Sequence, residues 1–166
     1  MELEFDEFEL TGAVPAEIGR LSALRVLDLS YNQLTSLPME IWQLTSLERL
    51  DLDGNQLTSL PAEIGQLTSL TYLNLSDNRL TSLPAEIGQL TSLKSLSLYN
   101  ILHLGLWTDS PSLPAEIGQL TSLRELWLND NQLWPDGMAS PAAIRELRAA
   151  GCDVRSLDIR SDEDWD

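Results

Sequence analysis

A repeat of 23 residues constrains the fold of this chain more than any other feature. Leu24, Leu47 and Leu70 each open a unit that reads L-x-x-L-x-L-x-x-N-x-L-T-S-L-P-x-E-I-x-Q-L-T-S. Many apolar positions and one Asn return in register, which is typical of a solenoid built from stacked units. A unit of this length cannot bury its apolar side chains alone, so neighbouring units must share one continuous core.

The repeat continues on both sides of these units but becomes irregular. A fourth unit opens at Leu93 and reaches its Leu-Pro pair seven residues late, at Leu113–Pro114. A fifth unit opens at Leu123 and breaks off at Trp134–Pro135, and Leu10–Leu21 is the second half of a unit that precedes the regular ones. The segment before it is therefore expected to cap the N-terminal end.

The residues after the last unit follow a different pattern. Ser140–Pro141 is typical of a helix start, Ile144 and Leu147 share one face of the expected helix, and Gly151 is suited to end it. Residues 152–159 then supply a last short strand. We predict a solenoid over 1–135 (N-terminal cap and partial repeat at 1–23, five repeats at 24–135, insertion near 99–112) and a C-terminal helix/strand cap with an acidic tail over 136–166.

The repeated pattern resembles the leucine-rich repeat over roughly residues 10–135. Its L-P-x-E-I form is similar to the intracellular Ras-group and plant-like classes, and Leu10–Pro15 resembles the plant variant. The resemblance implies an α/β fold: a right-handed solenoid, or horseshoe arc, with a concave parallel β-sheet and short turns or 3₁₀ segments on the convex side. It also implies a protein that binds other proteins and catalyses no reaction, with a small-GTPase or other signalling partner suggested by analogy to the Ras group.

The residues themselves lead to a compatible picture of each strand. In L-x-x-L-x-L, Leu50 and Leu52 lie on one side of a short strand, while Arg49, Asp51 and Asp53 lie on the other. The recurrent Asn stands where the strand ends, and its amide can satisfy backbone groups that the strand ladder leaves unpaired. Each unit therefore presents one apolar and one polar face.

The polar face is the predicted binding surface. Aromatic side chains among polar neighbours resemble a protein-binding hot spot, and an excess of acids favours a basic partner. The alternative is that an exposed sheet face simply requires polar residues. The candidate residues are Asp28, Tyr31, Arg49, Asp51, Asp53, Tyr72, Asn74, Tyr99, Glu125, Trp127 and Asn129, with Asp77 and Asp130 extending the lower edge.

The insertion in the fourth unit is the largest departure from the repeat. Its Asn, Asn100, falls one position early, so the series of Asn residues is expected to break here. The segment is too apolar for a solvated loop, which leaves two interpretations: it packs as additional core, or it is exposed for a partner or for self-association. The candidate interface residues are Ile101, Leu102, Leu104, Leu106 and Trp107.

Charge and composition limit the classes of molecule that could be binding partners. A formal charge of -16 and a pI near 4.2 argue against nucleic acid and anionic membranes, which would repel the chain. The one cysteine and the acidic N-terminus, which differs from a secretion signal, predict a cytoplasmic protein. We expect a protein or peptide partner and a monomer or weak homodimer, with a structural self-associating protein that uses the apolar insertion as the alternative function.

Catalysis, metal binding and cofactor binding are not predicted. His103 and Cys152 are the sole residues of their types and lie about 50 residues apart, which is unfavourable for a Cys-His nucleophile. Asp51-x-Asp53-x-Asn55 begins like a calcium loop, but the Gly and Glu that such a loop requires are absent from the matching positions. We therefore predict a protein that is not an enzyme and needs no cofactor or metal.

Overall fold

The computed structural model describes residues 1–11, 14–101, 113–129 and 142–155. Within these ranges the strands form one parallel sheet in chain order, and each strand is in register with the next. Five 3₁₀ helices and one α-helix accompany them. The strands are β1 (Glu2–Glu4), β2 (Val26–Asp28), β3 (Arg49–Asp51), β4 (Tyr72–Asn74), β5 (Ser95–Ser97), β6 (Glu125–Trp127) and β7 (Asp153–Arg155); the 3₁₀ helices are η1 (Ala16–Arg20), η2 (Met39–Gln43), η3 (Ala62–Gln66), η4 (Ala85–Gln89) and η5 (Ala115–Gln119); the α-helix is α1 (Ala142–Ala149).

The core lies between the sheet and the 3₁₀ helices. The central residue of each repeat strand points inward, so that Leu27, Leu50 and Leu73 lie opposite one another and are 0% exposed. The Ile of each 3₁₀ helix meets them from the other side and is buried, as at Ile64, which is 0% exposed. Apolar side chains stacked at one spacing through the described repeats form the continuous core that the period predicts.

Each 3₁₀ helix follows the Leu-Pro pair of its unit. Pro61 and Pro84 have extended backbone angles directly before η3 and η4. Proline has no N–H to continue a strand ladder, and its fixed φ is compatible with the start of a helix. The neighbouring helices approach closely, and a Cβ on Gly88 would lie 2.6 Å from the Glu116 carbonyl oxygen. At the position of this glycine, η2 carries Trp42 instead, and its ring is 1% exposed within the core.

The recurrent Asn stabilises the turn that follows each strand. The Asn55 side chain accepts a hydrogen bond from the Leu34 N–H at 3.1 Å. It also donates to the carbonyl oxygens of Leu29, Leu52 and Asp53 at 2.9–3.1 Å. A buried amide with four protein partners replaces the strand ladder where the chain leaves the sheet.

The same arrangement recurs at Asn32 and Asn78 and stops at Ile101. Asn78 accepts from the Leu57 N–H at 3.0 Å, and Asn32 accepts from the Leu10 N–H at 2.8 Å. Ile101 occupies the next position of this series and is 1% exposed. An aliphatic side chain thus fills the core at this point but has no amide to bond the turn.

Both ends of the described sheet extend the repeat. At the N-terminal end β1 pairs with β2, and at the C-terminal end β7 pairs with β6. Helix α1 buries Ile144 and Leu147 and is followed by Gly151 at a φ of +87°, a left-handed conformation that favours glycine. Ser140–Pro141 and the predicted acidic tail lie outside the described residues, and the division into solenoid and cap stays a prediction.

Candidate functional site

The side of the sheet opposite the core carries the polar residues of every strand. We call it the outer sheet face and define it as the first and third residues of β2 to β7 together with the described turn residues that follow β2 to β6. Its charged residues are the acids Asp28, Asp51, Asp53, Asp77, Glu125 and Asp153 and the bases Arg49 and Arg155.

Arg49 and Tyr72 form the first of two arginine–aromatic pairs on this face. The Arg49 Cζ lies 3.8 Å from the centre of the Tyr72 ring, and its Nη2 lies 2.8 Å from Oδ2 of Asp51. The Tyr72 hydroxyl donates to the same Asp51 oxygen at 3.4 Å. A cation–π contact and an ion pair together hold the guanidinium flat over the neighbouring strand.

These contacts cover Asp51, whose side chain is 8% exposed. Burial raises the pKa of the Asp51 carboxyl, and the nearby charge of Asp28 raises it further, whereas the Asp53 N–H and Arg49 oppose the change. Burial likewise raises the pKa of the Tyr72 hydroxyl. Sequence analysis placed Asp51 among the exposed contacts, but in the structure it lies beneath Arg49 and Tyr72 and orients them.

Arg155 and Trp127 form the second arginine–aromatic pair, at the C-terminal end of the sheet. The Arg155 Cζ lies 4.0 Å from the Trp127 ring, and its Nε donates to Oδ2 of Asp153 at 2.8 Å. The geometry matches that of Arg49: the arginine stacks on a ring of the adjacent strand and pairs with an acid of its own strand.

Small polar side chains occupy the space between the two pairs. Strand β5 presents Ser95 and Ser97 outward. The Ser95 hydroxyl donates to the Glu125 carboxylate at 3.2 Å, and the Ser97 and Ser76 hydroxyls lie 2.7 Å apart. Side chains therefore project less from the outer sheet face at β5 than at β4 and β6, which carry Tyr72 and Trp127.

A column of left-handed residues follows the strands at the lower edge of this face. Tyr31, Gly54, Asp77 and Asn100 have φ values of 52°, 63°, 47° and 47°. A glycine is needed at the second position, because a Cβ on Gly54 would lie 2.7 Å from Cδ1 of the Tyr31 ring. The Tyr31 ring thus lies against the backbone of the next repeat.

Tyr31 lies near the acids Asp53 and Asp77 at this edge. Tyr31 is 57% exposed. The hydrogen bond of its hydroxyl to Asp53 raises the pKa of this hydroxyl to about 12. Burial raises the pKa of the Asp53 carboxyl, and the charge of Asp77 adds to the effect. The Asp77 Oδ1 accepts from Nδ2 of Asn100 at 2.7 Å, while Oδ1 of Asp53 is buried and has no hydrogen-bond partner in the described part of the chain.

The remaining predicted residues lie on the same face in different settings. Asp28 accepts from the Ser30 hydroxyl at 2.6 Å, and Asn74 accepts from the Ser76 N–H at 3.1 Å, so both carboxamide and carboxylate oxygens support their own turns. Tyr99 is 38% exposed. Asn129 and Glu125 lie at the β6 end, and Asp130 is outside the described residues.

The insertion is described at its first residue only. Ile101 is buried in the core, and a part for it in an interface stays a prediction. Its side chain fills the place of the recurrent Asn because the chain enters the insertion from a buried turn. Leu102, Leu104, Leu106 and Trp107 lie outside the described residues.

Sequence analysis missed Arg155 and Asp153 as parts of this surface. The signal was present, since D-V-R at 153–155, like E-L-W at 125–127, places one apolar residue between two residues that can face outward. It was weak because β7 follows a helix and lacks the full repeat. The sequence did not predict the left-handed conformation of Tyr31, because tyrosine is uncommon at positions with a positive φ.

The helices and the acidic groups of the described ranges bear on membrane and metal binding. None of the helices there is long and apolar enough to cross a bilayer. Groups of three or more His, Cys, Asp or Glu side chains placed to hold a metal ion were not found in the same part of the chain.

The sequence profile of the leucine-rich repeat region matches residues 3–165. The chain therefore belongs to the leucine-rich repeat family, and its parallel sheet with short 3₁₀ turns is the α/β arc of that family. No match is found among curated proteins.

Solved structures provide more specific similarities. A leucine-rich-repeat protein of Leptospira interrogans is 38% identical with a TM-score of 0.70, over 93% of this chain and 36% of that one. The ectodomain of the Arabidopsis thaliana membrane receptor kinase GASSHO1/SCHENGEN3, solved in complex with CASPARIAN STRIP INTEGRITY FACTOR 2, is 34% identical with a TM-score of 0.71, over 94% of this chain and 18% of that one. An internalin of Listeria monocytogenes, 24% identical with a TM-score of 0.66 over 90% of this chain and 39% of that one, shares the fold. The chain thus spans about a third of the Leptospira protein and less than a fifth of the plant ectodomain.

Proposed function

We propose that this chain is a protein-interaction module that binds a protein or peptide partner on its outer sheet face. The observation that carries the proposal is the pair of arginine–aromatic contacts, Arg49 on Tyr72 and Arg155 on Trp127. Arginine, tyrosine and tryptophan dominate binding energy in protein interfaces. Here each is held in place before a partner arrives.

Preorganisation is the physical advantage of such a surface. Arg49 is fixed by Tyr72 and Asp51, and Arg155 is fixed by Trp127 and Asp153. Side chains that are already ordered lose little rotamer entropy on binding. A rigid sheet adds to this, since its backbone need not rearrange.

The plant ectodomain supports the proposal by similarity, because its structure holds a bound factor. An intracellular signalling role and a cytoplasmic location remain predictions of the sequence pattern. Self-association through the insertion also remains a prediction, since four of its five candidate residues lie outside the described ranges.

The test is capture of partners by the immobilised chain and by a double variant, Tyr72→Asp plus Trp127→Asp. We expect the variant to lose the specific partners that the wild-type chain retains, because a charge replaces each partly exposed ring. The partners are identified by mass spectrometry of the retained fraction.

The matched control is Gln66→Asp plus Thr68→Asp, which adds the same charge at two exposed positions away from the outer sheet face. Circular dichroism of each variant verifies the fold. Partner capture that is unchanged in the first variant, or lost equally in both, would contradict the proposal.

A further inference from the structure

The outer sheet face binds guanidinium groups of its own chain in the same way at two places. At Arg49 the partners are the Tyr72 ring at 3.8 Å and the Asp51 carboxylate at 2.8 Å. At Arg155 they are the Trp127 ring at 4.0 Å and an acid of its own strand at 2.8 Å. An aromatic ring beside a carboxylate is thus a recurrent guanidinium site on this face.

Tyr31, Asp53 and Asp77 form a third set, which also has an aromatic ring and carboxylates but no arginine. Tyr31, Gly54 and Asp77 hold equivalent left-handed positions in three consecutive repeats, and the Tyr31 ring rests on Gly54. The Tyr31 N–H donates to the Asp53 carbonyl oxygen at 2.7 Å, which places the ring beside Asp53 at the lower edge of the face. Among the described residues, the charged groups that act on Tyr31 and Asp53 are acids, with Asp28 and Asp51 completing the group. No described Lys or Arg forms a salt bridge with this set.

The third set is accessible. Tyr31 is 57% exposed, and one side of its ring rests on Gly54. Asn100 holds the Asp77 carboxylate in place at 2.7 Å. Ring and carboxylates are therefore fixed before any ligand binds.

We propose that Tyr31, Asp53 and Asp77 bind the guanidinium group of an arginine carried by the protein or peptide partner. The inference rests on the proposed function and adds the chemistry of the partner at one position. The charge complementarity is strong, since the set is acidic and lacks a cation among the described residues. Asp77 is exposed, so an arginine N–H can reach its carboxylate.

Arginine fits this site better than lysine. A planar guanidinium stacks on a tyrosine ring and still directs N–H groups toward carboxylates in its plane. A lysine ammonium is more strongly hydrated and cannot stack. The site should therefore discriminate by shape as well as by charge.

The test is an NMR titration of the isotopically labelled chain with N-acetyl-arginine amide. We expect saturable shifts of the Tyr31, Asp53 and Asp77 backbone amides, with affinity in the millimolar range. N-acetyl-lysine amide should bind at least about threefold more weakly, and the uncharged citrulline derivative should give no saturable shift.

Two matched variants separate the site from the general charge of the chain. Asp53→Asn plus Asp77→Asn and Glu63→Gln plus Glu86→Gln each remove two negative charges, the second pair from the 3₁₀ helices. We expect the first to weaken binding of the arginine derivative by about fivefold or more and the second by less than about twofold. Tyr31→Leu, which leaves all acids in place, should weaken it by about threefold or more.

The inference is overturned if the three amides do not shift, if lysine binds as well as arginine, or if both charge variants weaken binding equally. Its failure is distinguishable from that of the proposed function. An absent arginine response together with lost capture by the Tyr72 and Trp127 variant rejects the inference alone. A site-specific arginine response together with unchanged capture rejects the wider contact surface instead.

Discussion

At the scale of single residues, the recurrent Asn contributes most to the turns. Asn55 shares its acceptors with its neighbours: the Leu29 carbonyl also accepts from Asn32, and the Leu52 carbonyl also accepts from Asn78. Its bond from the Leu34 N–H has no such substitute. The loss of one Asn therefore leaves a buried N–H group unpaired while most carbonyls keep a partner.

The substitution Asn55→Ala should lower the free energy of unfolding by roughly 2–3 kcal/mol, because a buried backbone donor loses its partner. Ser59→Ala, at an exposed position of the same repeat, should change it by less than about 0.5 kcal/mol. Chemical denaturation measures both values. Equal effects of the two substitutions would show that the amide does not stabilise the turn.

The role of this Asn was predictable from its place in the repeat, whereas the setting of Tyr31 was not. The Asn interacts with backbone groups of the turns, which every repeat supplies. Tyr31 depends on Gly54 in the next repeat, because the ring takes the space that a side chain there would fill. Such a pairing between two irregular positions lies outside the repeat pattern.

At the scale of elements, the 3₁₀ helices pack through a glycine position that η2 fills with Trp42. Trp42 stands where the other repeats have Gly65, Gly88 and Gly118. The repeat pattern therefore does not predict which residues surround the tryptophan ring. In the structure its ring is 1% exposed, and its indole N–H has no hydrogen-bond partner among the described residues. The apolar contacts of the ring must therefore exceed the cost of that unpaired group.

Restoring the repeat with Trp42→Gly should lower the free energy of unfolding by about 4 kcal/mol, because it leaves a large cavity. Met39→Ala in the same helix, where the side chain is 46% exposed, should cost less than about 1 kcal/mol. Thermal and denaturant unfolding measure the difference. A Trp42→Gly chain as stable as the wild type would mean that the helices close over the gap.

At the scale of the whole molecule, stability comes from contacts between adjacent repeats. Helices η3 and η4 have the same sequence, and strands β3 and β4 pair in register through the central Leu50 and Leu73. In such a solenoid each unit contacts mainly its neighbours, so total stability approximates a sum over units and interfaces. A complete unit can then be removed without disturbing distant parts.

Deleting residues 58–80 removes one 23-residue unit and joins Leu57 to Thr81 in register. We expect a folded chain with lower stability and a denaturant m-value smaller by roughly a seventh, since less surface is exposed on unfolding. Deletion of 58–77, which removes three residues fewer, places the apolar positions out of register and should abolish cooperative unfolding. If both deletions behave alike, the register is not what holds the units together.

The sequence by itself determined the family, the parallel in-register sheet, the buried leucines and the duty of the recurrent Asn. The buried leucines and the role of the Asn follow from alternation along a strand and from the fixed period, whereas the parallel sheet is what the resemblance to the leucine-rich repeat implies. Only the tertiary structure decided that Asp51 lies beneath Arg49 and Tyr72, that Arg155 stacks on Trp127, and that Ile101 replaces an Asn in the core. Those contacts join side chains of different repeats, and their geometry depends on the space that neighbouring side chains leave, which no period encodes.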